Sequence, residues 1–338
     1  MRPDSPEFRK LYPFESRWHD LGGVRMHYVD EGAGDPVVMV HGNPTWSFYW
    51  RELIKALRWT HRCIAMDHIG CGLSDKPGDV TTARNDECRI ENVECRNEDG
   101  TPDRDFNILH STFNIPYSYT LARRVADLES LLDALHLERN VTLVVHDWGG
   151  MIGLTAALRR PERIARIVVM NTAAFLLTEG DSLPLRLWLL HDNPLAPLLV
   201  QGFNLFAWAA TRMAVTRPLP REVRDAYLMP YDTWHNRLAT LRFVQDIPLE
   251  PSHPSYALAK WTDDNLHRLS HVPMLVCWGL RDFVFDETFL NEWRRRFPKA
   301  EVHAYEDAGH YVIEDAQQAV IENVVRFTAR QSQLPLIA

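Results

Sequence analysis

Apolar and polar positions alternate along Gly23-Val24-Arg25-Met26-His27-Tyr28-Val29-Asp30 in the two-residue rhythm of a half-buried antiparallel strand. Pro36-Val37-Val38-Met39-Val40 is instead a continuous apolar run, suited to a strand covered on both faces. Arg62 to Asp67 predicts the next strand, ending in the turn-rich His68-Ile69-Gly70-Cys71-Gly72-Leu73-Ser74. Leu121, Val125, Leu128, Leu131, Leu132 and Leu135 recur at helical spacing and predict a long amphipathic helix over Tyr119 to Leu137. A strand over Val141 to His146, a helix from Trp148 to Arg160 and a strand over Ile164 to Met170 follow. Strands that alternate with helices predict a mostly parallel sheet with helices on both faces.

The alternation stops between about Asn171 and His271. There Leu176, Leu177, Trp188, Leu189, Leu190, Phe203, Phe206 and Trp208 are interrupted by Pro194, Pro197, Pro218 and Pro220, which predicts short helices without strands. Strand patterns return at Pro273 to Trp278 and Ala300 to Tyr305, and a helix from Ala316 to Arg330 closes the chain. The organisation expected is an α/β core made of 1–170 and 272–338, with a helical cap over 171–271. Asp79 to Ile115 fits neither part. It is rich in Asp, Glu, Arg, Asn and Thr with little periodicity, and reads as a polar surface insertion at 79–115 with assembly into a homo-oligomer as its candidate role.

Composition narrows the function. A chain of 338 residues with 46% hydrophobic content can bury one large core, and a net charge of -8 disfavours nucleic-acid or acidic-membrane partners. The run Arg294-Arg295-Arg296 belongs to an amphipathic helix and is expected to face solvent. No apolar stretch is long enough to span a bilayer and no signal-like segment opens the chain, so a cytoplasmic enzyme is expected. Five dispersed cysteines give neither a disulfide framework nor a zinc pattern, Cys88 and Cys95 being the one pair near enough for a local bridge or a weak metal site.

The chemistry concentrates where Leu143-Val144-Val145-His146 runs into Asp147-Trp148-Gly149-Gly150, a strand-to-helix turn with a carboxylate at its apex. α/β-hydrolases hold their nucleophile at such an elbow, usually a Ser within G-x-S-x-G. A carboxylate is already ionised at neutral pH and can displace a leaving group from saturated carbon, forming an alkyl ester. A second reading makes Asp147 only an N-cap. The strand ending at Val40 opens into His41-Gly42-Asn43-Pro44, so the backbone N–H groups of Asn43 and Trp148 are the expected oxyanion donors, and their side chains are neutral donors for a departing anion. His310, in Asp307-Ala308-Gly309-His310-Tyr311, is the expected base, ahead of His41 and His68, which sit in backbone turns, and of His146, which period-two alternation places on the opposite side of the strand from Asp147. Asp282 after Trp278-Gly279 is the expected orienting acid, ahead of Asp286 and of Asp263-Asp264.

Together these stretches resemble the haloalkane dehalogenases over the whole chain outside the insert. The resemblance implies Asp147 as nucleophile, Trp148 and Asn43 as halide donors, His310 as base and Asp282 as acid. Asn171, standing where some members carry Glu, and the set Asn43, Trp148 and Asp282 look like the third subfamily. A cap tryptophan, Trp188 or Trp208, would then be dispensable as a halide donor. The implied reaction converts a small apolar haloalkane to an alcohol, a halide and a proton without metal or cofactor. Val145 departs from the Ser-type elbow by replacing its first Gly, and the polar insert is unlike typical dehalogenases. The chain is also similar to bacterial β-lactone decarboxylases of olefin synthesis, through H-G-N-P, the Asp-Trp elbow, Leu11-Tyr12-Pro13-Phe14 and Asp67-His68-Ile69-Gly70. Dehalogenation is the leading expectation and lactone decarboxylation the alternative. An epoxide hydrolase would need paired cap tyrosines, for which Tyr227, Tyr231 and Tyr256 are candidates, and fluoroacetate dehalogenases carry Arg where this chain has Trp148. A non-catalytic hydrolase-fold protein would ordinarily have lost a triad member, and none is missing.

Overall fold

A computed structural model describes residues 1–79, 90–96, 102–111, 117–176, 191 and 193–329. Its strands are β1 (Arg17–Asp20), β2 (Arg25–Glu31), β3 (Pro36–Val40), β4 (Arg62–Met66), β5 (Ile90–Arg96), β6 (Pro102–Ser111), β7 (Val141–His146), β8 (Ile164–Met170), β9 (Met274–Gly279) and β10 (Glu301–Tyr305). Eight of them form one sheet in the order β1-β2-β4-β3-β7-β8-β9-β10. β1 and β2 pair antiparallel, as do β2 and β4, and every other neighbouring pair in this sheet is parallel.

The apolar run of β3 shows why the sheet lies inside. Val38 and Val40 enter one hydrophobic cluster while Val37 and Met39 enter another, because successive side chains leave a strand on opposite faces. Helices Leu121–Ala134 and Trp148–Arg159 pack on the first face through Leu121, Val125, Ile152 and Leu154. Helices Arg51–Leu57 and Gln317–Ala329 cover the second through Leu53, Ile54, Val320 and Val324. Each fully buried aliphatic side chain contributes about 1.5–3 kcal/mol.

Helix Leu121–Ala134 is shorter than the hydrophobic spacing predicts. The Thr120 side chain caps it by accepting from the Arg123 N–H, and His136 at φ 54 turns the chain out of helix at the far end. β1 was not legible: it lies on the sheet edge, its residues are mostly exposed, and so no apolar rhythm marks it. The insertion also departs from expectation, since β5 and β6 form a separate antiparallel pair. A ladder closed by backbone hydrogen bonds needs no apolar periodicity. Cys63, Cys71 and Cys277 are buried free thiols, whereas Cys88 and the Cys95 side chain lie outside the described residues. Arg294 and Arg295 face solvent as expected, but Arg296 is half-buried against Glu292 and Asp263.

Between β8 and β9 the regular elements among the described residues are helical, including Leu205–Met213, Arg221–Leu228, Leu238–Gln245 and Tyr256–Asn265. No described helix is long and apolar enough to cross a membrane. Because β3, β7, β8, β9 and β10 run parallel, their carboxyl ends share one edge of the sheet. The loops that follow them therefore converge, which is where open α/β sheets bind ligands.

Candidate active site

Asp147 stands at the end of β7 with φ 52 and ψ -128, a backbone region that L-residues rarely occupy. Neighbouring groups hold it there. Its N–H donates to the Asn171 carbonyl at 3.1 Å, its carbonyl accepts the Gly150 N–H at 3.0 Å, and the Thr172 hydroxyl donates to the same carbonyl. Gly149 is required by close approach, because a Cβ there would lie 2.0 Å from the Val40 carbonyl oxygen. Val145, the departure from the Ser-type elbow, is accommodated from the other side: Gly153 faces it, and a Cβ on Gly153 would lie 2.8 Å from Val145 Cγ1.

The Asp147 side chain makes no cap bond to its own helix. Instead Oδ1 accepts the backbone N–H of Asn43 at 2.6 Å, and Gly42 must be glycine because a Cβ would come within 2.0 Å of that oxygen. A helix-capping role is thus not what the side chain does. Oδ2 lies 3.5 Å from His310 Nε2, and His310 Nδ1 donates to Asp282 Oδ2 at 2.7 Å. All three side chains are buried. Burial raises the Asp147 carboxyl, but hydrogen bonding to His310, the charge of His310 and the Trp148 N–H outweigh it, so the group titrates below the usual carboxylate range. Burial alone would lower His310; the Asp282 charge and the bonds to Asp147 and Asp282 outweigh it and raise the imidazole to about 10. The resting centre is therefore an imidazolium between two carboxylates.

The competing residues hold other positions. Asp286 caps helix Glu287–Arg296 by accepting the Thr288 N–H at 2.9 Å. Asp263 accepts the Leu176 N–H at 3.0 Å, and Asp264 pairs with Lys260. His41 Nε2 accepts the His68 N–H at 3.0 Å while His68 Nε2 donates to the His41 carbonyl, which ties the loop after β3 to the loop after β4. Tyr227 donates to Glu314, and Tyr231 donates to the Thr45 carbonyl at 3.4 Å, so neither hydroxyl is spent on Asp147. Trp208 is 46% exposed on its helix, and Trp188 lies outside the described residues.

Asn43 and Trp148 flank Asp147. The Asn43 amide gives one N–H to the Thr240 carbonyl at 3.0 Å, which leaves its second N–H for a ligand. The half-buried Trp148 ring packs on Phe243 at 5.5 Å between centroids, and the Arg124 guanidinium lies 3.6 Å from the Phe243 centroid on its way to Asp246. Two stretches noted in the sequence meet behind this loop at Ser47: the Tyr12 hydroxyl is 2.6 Å from its Oγ, and Asp67 Oδ1 accepts its N–H at 2.6 Å.

Three supporting roles escaped the sequence reading. Asn171 donates to Asp282 Oδ2 at 3.0 Å and to the Gly279 carbonyl at 3.0 Å, and accepts the Gly279 N–H at 2.8 Å. It thereby holds Asp282 with its side chain and Asp147 with its carbonyl. Thr172 locks the elbow carbonyl, and His146 packs at a tilt against His310. Of these, Asn171 and His146 carried a signal, their places at the ends of core strands.

The comparisons agree with this architecture. Residues 35–317 match the family model described as alpha/beta hydrolase fold. A cis-3-alkyl-4-alkyloxetan-2-one decarboxylase of Shewanella oneidensis is 46% identical over 96% of this chain and 91% of its own length. A protein of the same name from Xanthomonas campestris pv. campestris is 39% identical over 91% of this chain and 93% of its own. The haloalkane dehalogenase DatA of Agrobacterium tumefaciens C58 superposes with a TM-score of 0.74 at 25% identity, covering 94% of this chain and 96% of that one. The fold, the elbow and the matched family model agree, and the chain belongs to the alpha/beta hydrolase fold family.

Proposed function

We propose that the protein decarboxylates β-lactones carrying two alkyl chains, releasing carbon dioxide and an alkene. The observation that carries this reading is the 46% identity, over 96% of the chain, to a relative named for that reaction, against 25% to the dehalogenase DatA. It reverses the order in which the sequence ranked the two activities. The motifs His41-Gly42-Asn43-Pro44 and Asp147-Trp148 resemble both families and do not separate them.

In this reading Asp147 Oδ2 attacks ring carbon C4 from behind the C4–O bond, and that bond's electron pair leaves on the lactone oxygen as a carboxylate. The N–H groups of Asn43 and Trp148 hold the other Asp147 oxygen, and the His310 imidazolium, no longer facing an anionic Asp147, donates to the new carboxylate. The C2–C3 pair then forms the C3–C4 double bond, expelling carbon dioxide and restoring the Asp147 carboxylate. Inversion at C4 followed by anti elimination returns a cis alkene from a cis lactone. No water is consumed and no net proton moves, so His310 acts throughout as a cation, which its raised pKa favours. Asp282 keeps it charged and oriented.

A second reading, dehalogenation, is favoured by Trp148 and by the free N–H of Asn43 beside Asp147. There the alkyl ester would be cleaved by water, and His310, having lost the Asp147 charge, would serve as base. The two are separated by incubating the enzyme with a cis-β-lactone of two long chains and with a bromoalkane panel, measuring alkene and bromide. The lactone should be preferred by a wide margin. In H2(18)O, decarboxylation leaves Asp147 unlabelled over many turnovers, whereas dehalogenation places the label in its carboxylate. Bromide release faster than alkene formation, or labelled Asp147 after lactone turnover, would overturn the proposal.

A further inference from the structure

Strand alternation turns the His146 ring away from the Asp147 side chain, and on that ground the sequence reading set it aside. The fold brings His310 to that far side. The two imidazole centroids are 4.6 Å apart, and Tyr49 stacks on His146 at 4.5 Å with 24° between planes. His146 Nε2 lies 2.8 Å from the His310 carbonyl oxygen, and His146 is fully buried. A carbonyl only accepts, so Nε2 carries the proton and Nδ1 is bare; Nδ1 is buried without a hydrogen-bond partner. A cation in that place would lie against the His310 imidazolium. Burial, then the charge of His310, accordingly press His146 down to about 3.

The loop around His310 is pinned residue by residue. The Gly309 N–H donates to Asp315 Oδ2 at 2.8 Å and the Tyr311 N–H donates to the Ala214 carbonyl at 2.7 Å. The His310 carbonyl between them is held by His146. We propose that His146 is a positioning residue, whose Nε2–H bond to the His310 carbonyl and uncharged ring against the His310 imidazole hold that imidazole between Asp147 and Asp282. The titratable groups facing the pair are Asp147, Asp282, His41, Tyr49 and Tyr311. This rests on the roles proposed above for Asp147 and His310, but its test uses no substrate, so failure of the lactone reading leaves it intact.

The experiment follows the histidine ring nitrogens of protein labelled with [15N]histidine by NMR between pH 5 and 11. In the native protein His146 should remain neutral with its proton on Nε2 throughout, and His310 should titrate near 10. In His146→Phe, which keeps a ring but loses the donor, the His310 ionisation constant should rise by at least tenfold, because both carboxylate contacts loosen. His146→Gln, which restores an N–H donor, should recover much of that shift. A His146 that titrates between pH 5 and 8 or is protonated on Nδ1 in the native protein would overturn the proposal whatever the variants do. So would a His310 midpoint unchanged in both variants, which is the result expected if His146 merely fills space.

Discussion

Replacing Asp282 by Asn tests whether His310 is a cation held by buried carboxylates. An imidazole of ordinary pKa near 6.5 that is raised to about 10 in the fold contributes about 5 kcal/mol, since each unit is worth about 1.4 kcal/mol. The folded pKa lies above the unfolded one, so this stability is fully present below about pH 6.5 and is lost as pH rises toward 10. Asp282 supplies the largest upward push and the shorter contact, 2.7 Å against 3.5 Å for Asp147. Its removal should therefore erase at least half of the pH-dependent part. A pH-independent loss adds to it. Asp282 accepts from His310 and Asn171 on Oδ2 and from the Val284 N–H at 2.7 Å on Oδ1, so an Asn must turn its NH2 toward a donor on one side, at a cost of about 1–3 kcal/mol. Urea unfolding followed by tryptophan fluorescence at pH 6, 7, 8 and 9.5 gives both quantities for the native protein and Asp282→Asn. The difference between the two should be largest at low pH, hold up to the His310 midpoint that the variant retains, and be clearly smaller at pH 9.5. A difference that is the same at every pH would refute the buried imidazolium.

Other substitutions probe the supporting geometry. Gly42→Ala should lower turnover by about a hundredfold or more with the fold retained by circular dichroism, since the new methyl displaces the Asp147 carboxylate; near-native turnover would contradict the close approach. Gly153→Ala should destabilise by about 1–3 kcal/mol, and Val145→Ala should relieve part of that cost when combined with it; strict additivity of the two would show that the contact does not matter. Tyr227→Phe removes a bond to Glu314, which is also paired with Arg51, and should cost about 1 kcal/mol of stability while leaving turnover within a few-fold. A collapse of turnover in that variant would point back to a tyrosine acting on the substrate.

Much of the core was legible because it is written in local pattern. β3, β7 and β8 coincide with their apolar runs, and the elbow, the loop after β3 and the loop after β10 each announce themselves by a turn chemistry next to a strand. What was not legible is what depends on pairing across the fold. Asn171 reads as a subfamily clue, and its bond to Asp282 is not legible until β8 and β9 lie side by side. His146 was discounted by a correct argument about alternation, which says where a ring points but not what the rest of the chain places there. The substrate was obscured for a different reason. Displacement of halide and opening of a lactone at C4 ask for the same first step from Asp147 and the same donors for a departing anion. The two reactions part only at the second step, where one needs water delivered to an ester and the other needs water kept away from it. The motifs that hold Asp147 carry neither requirement, so the choice between the two reactions is not written in them. In the reading proposed above, an identity of 46% along the chain is therefore a better guide to the substrate than Asp147, Trp148, Asn43 and His310 are.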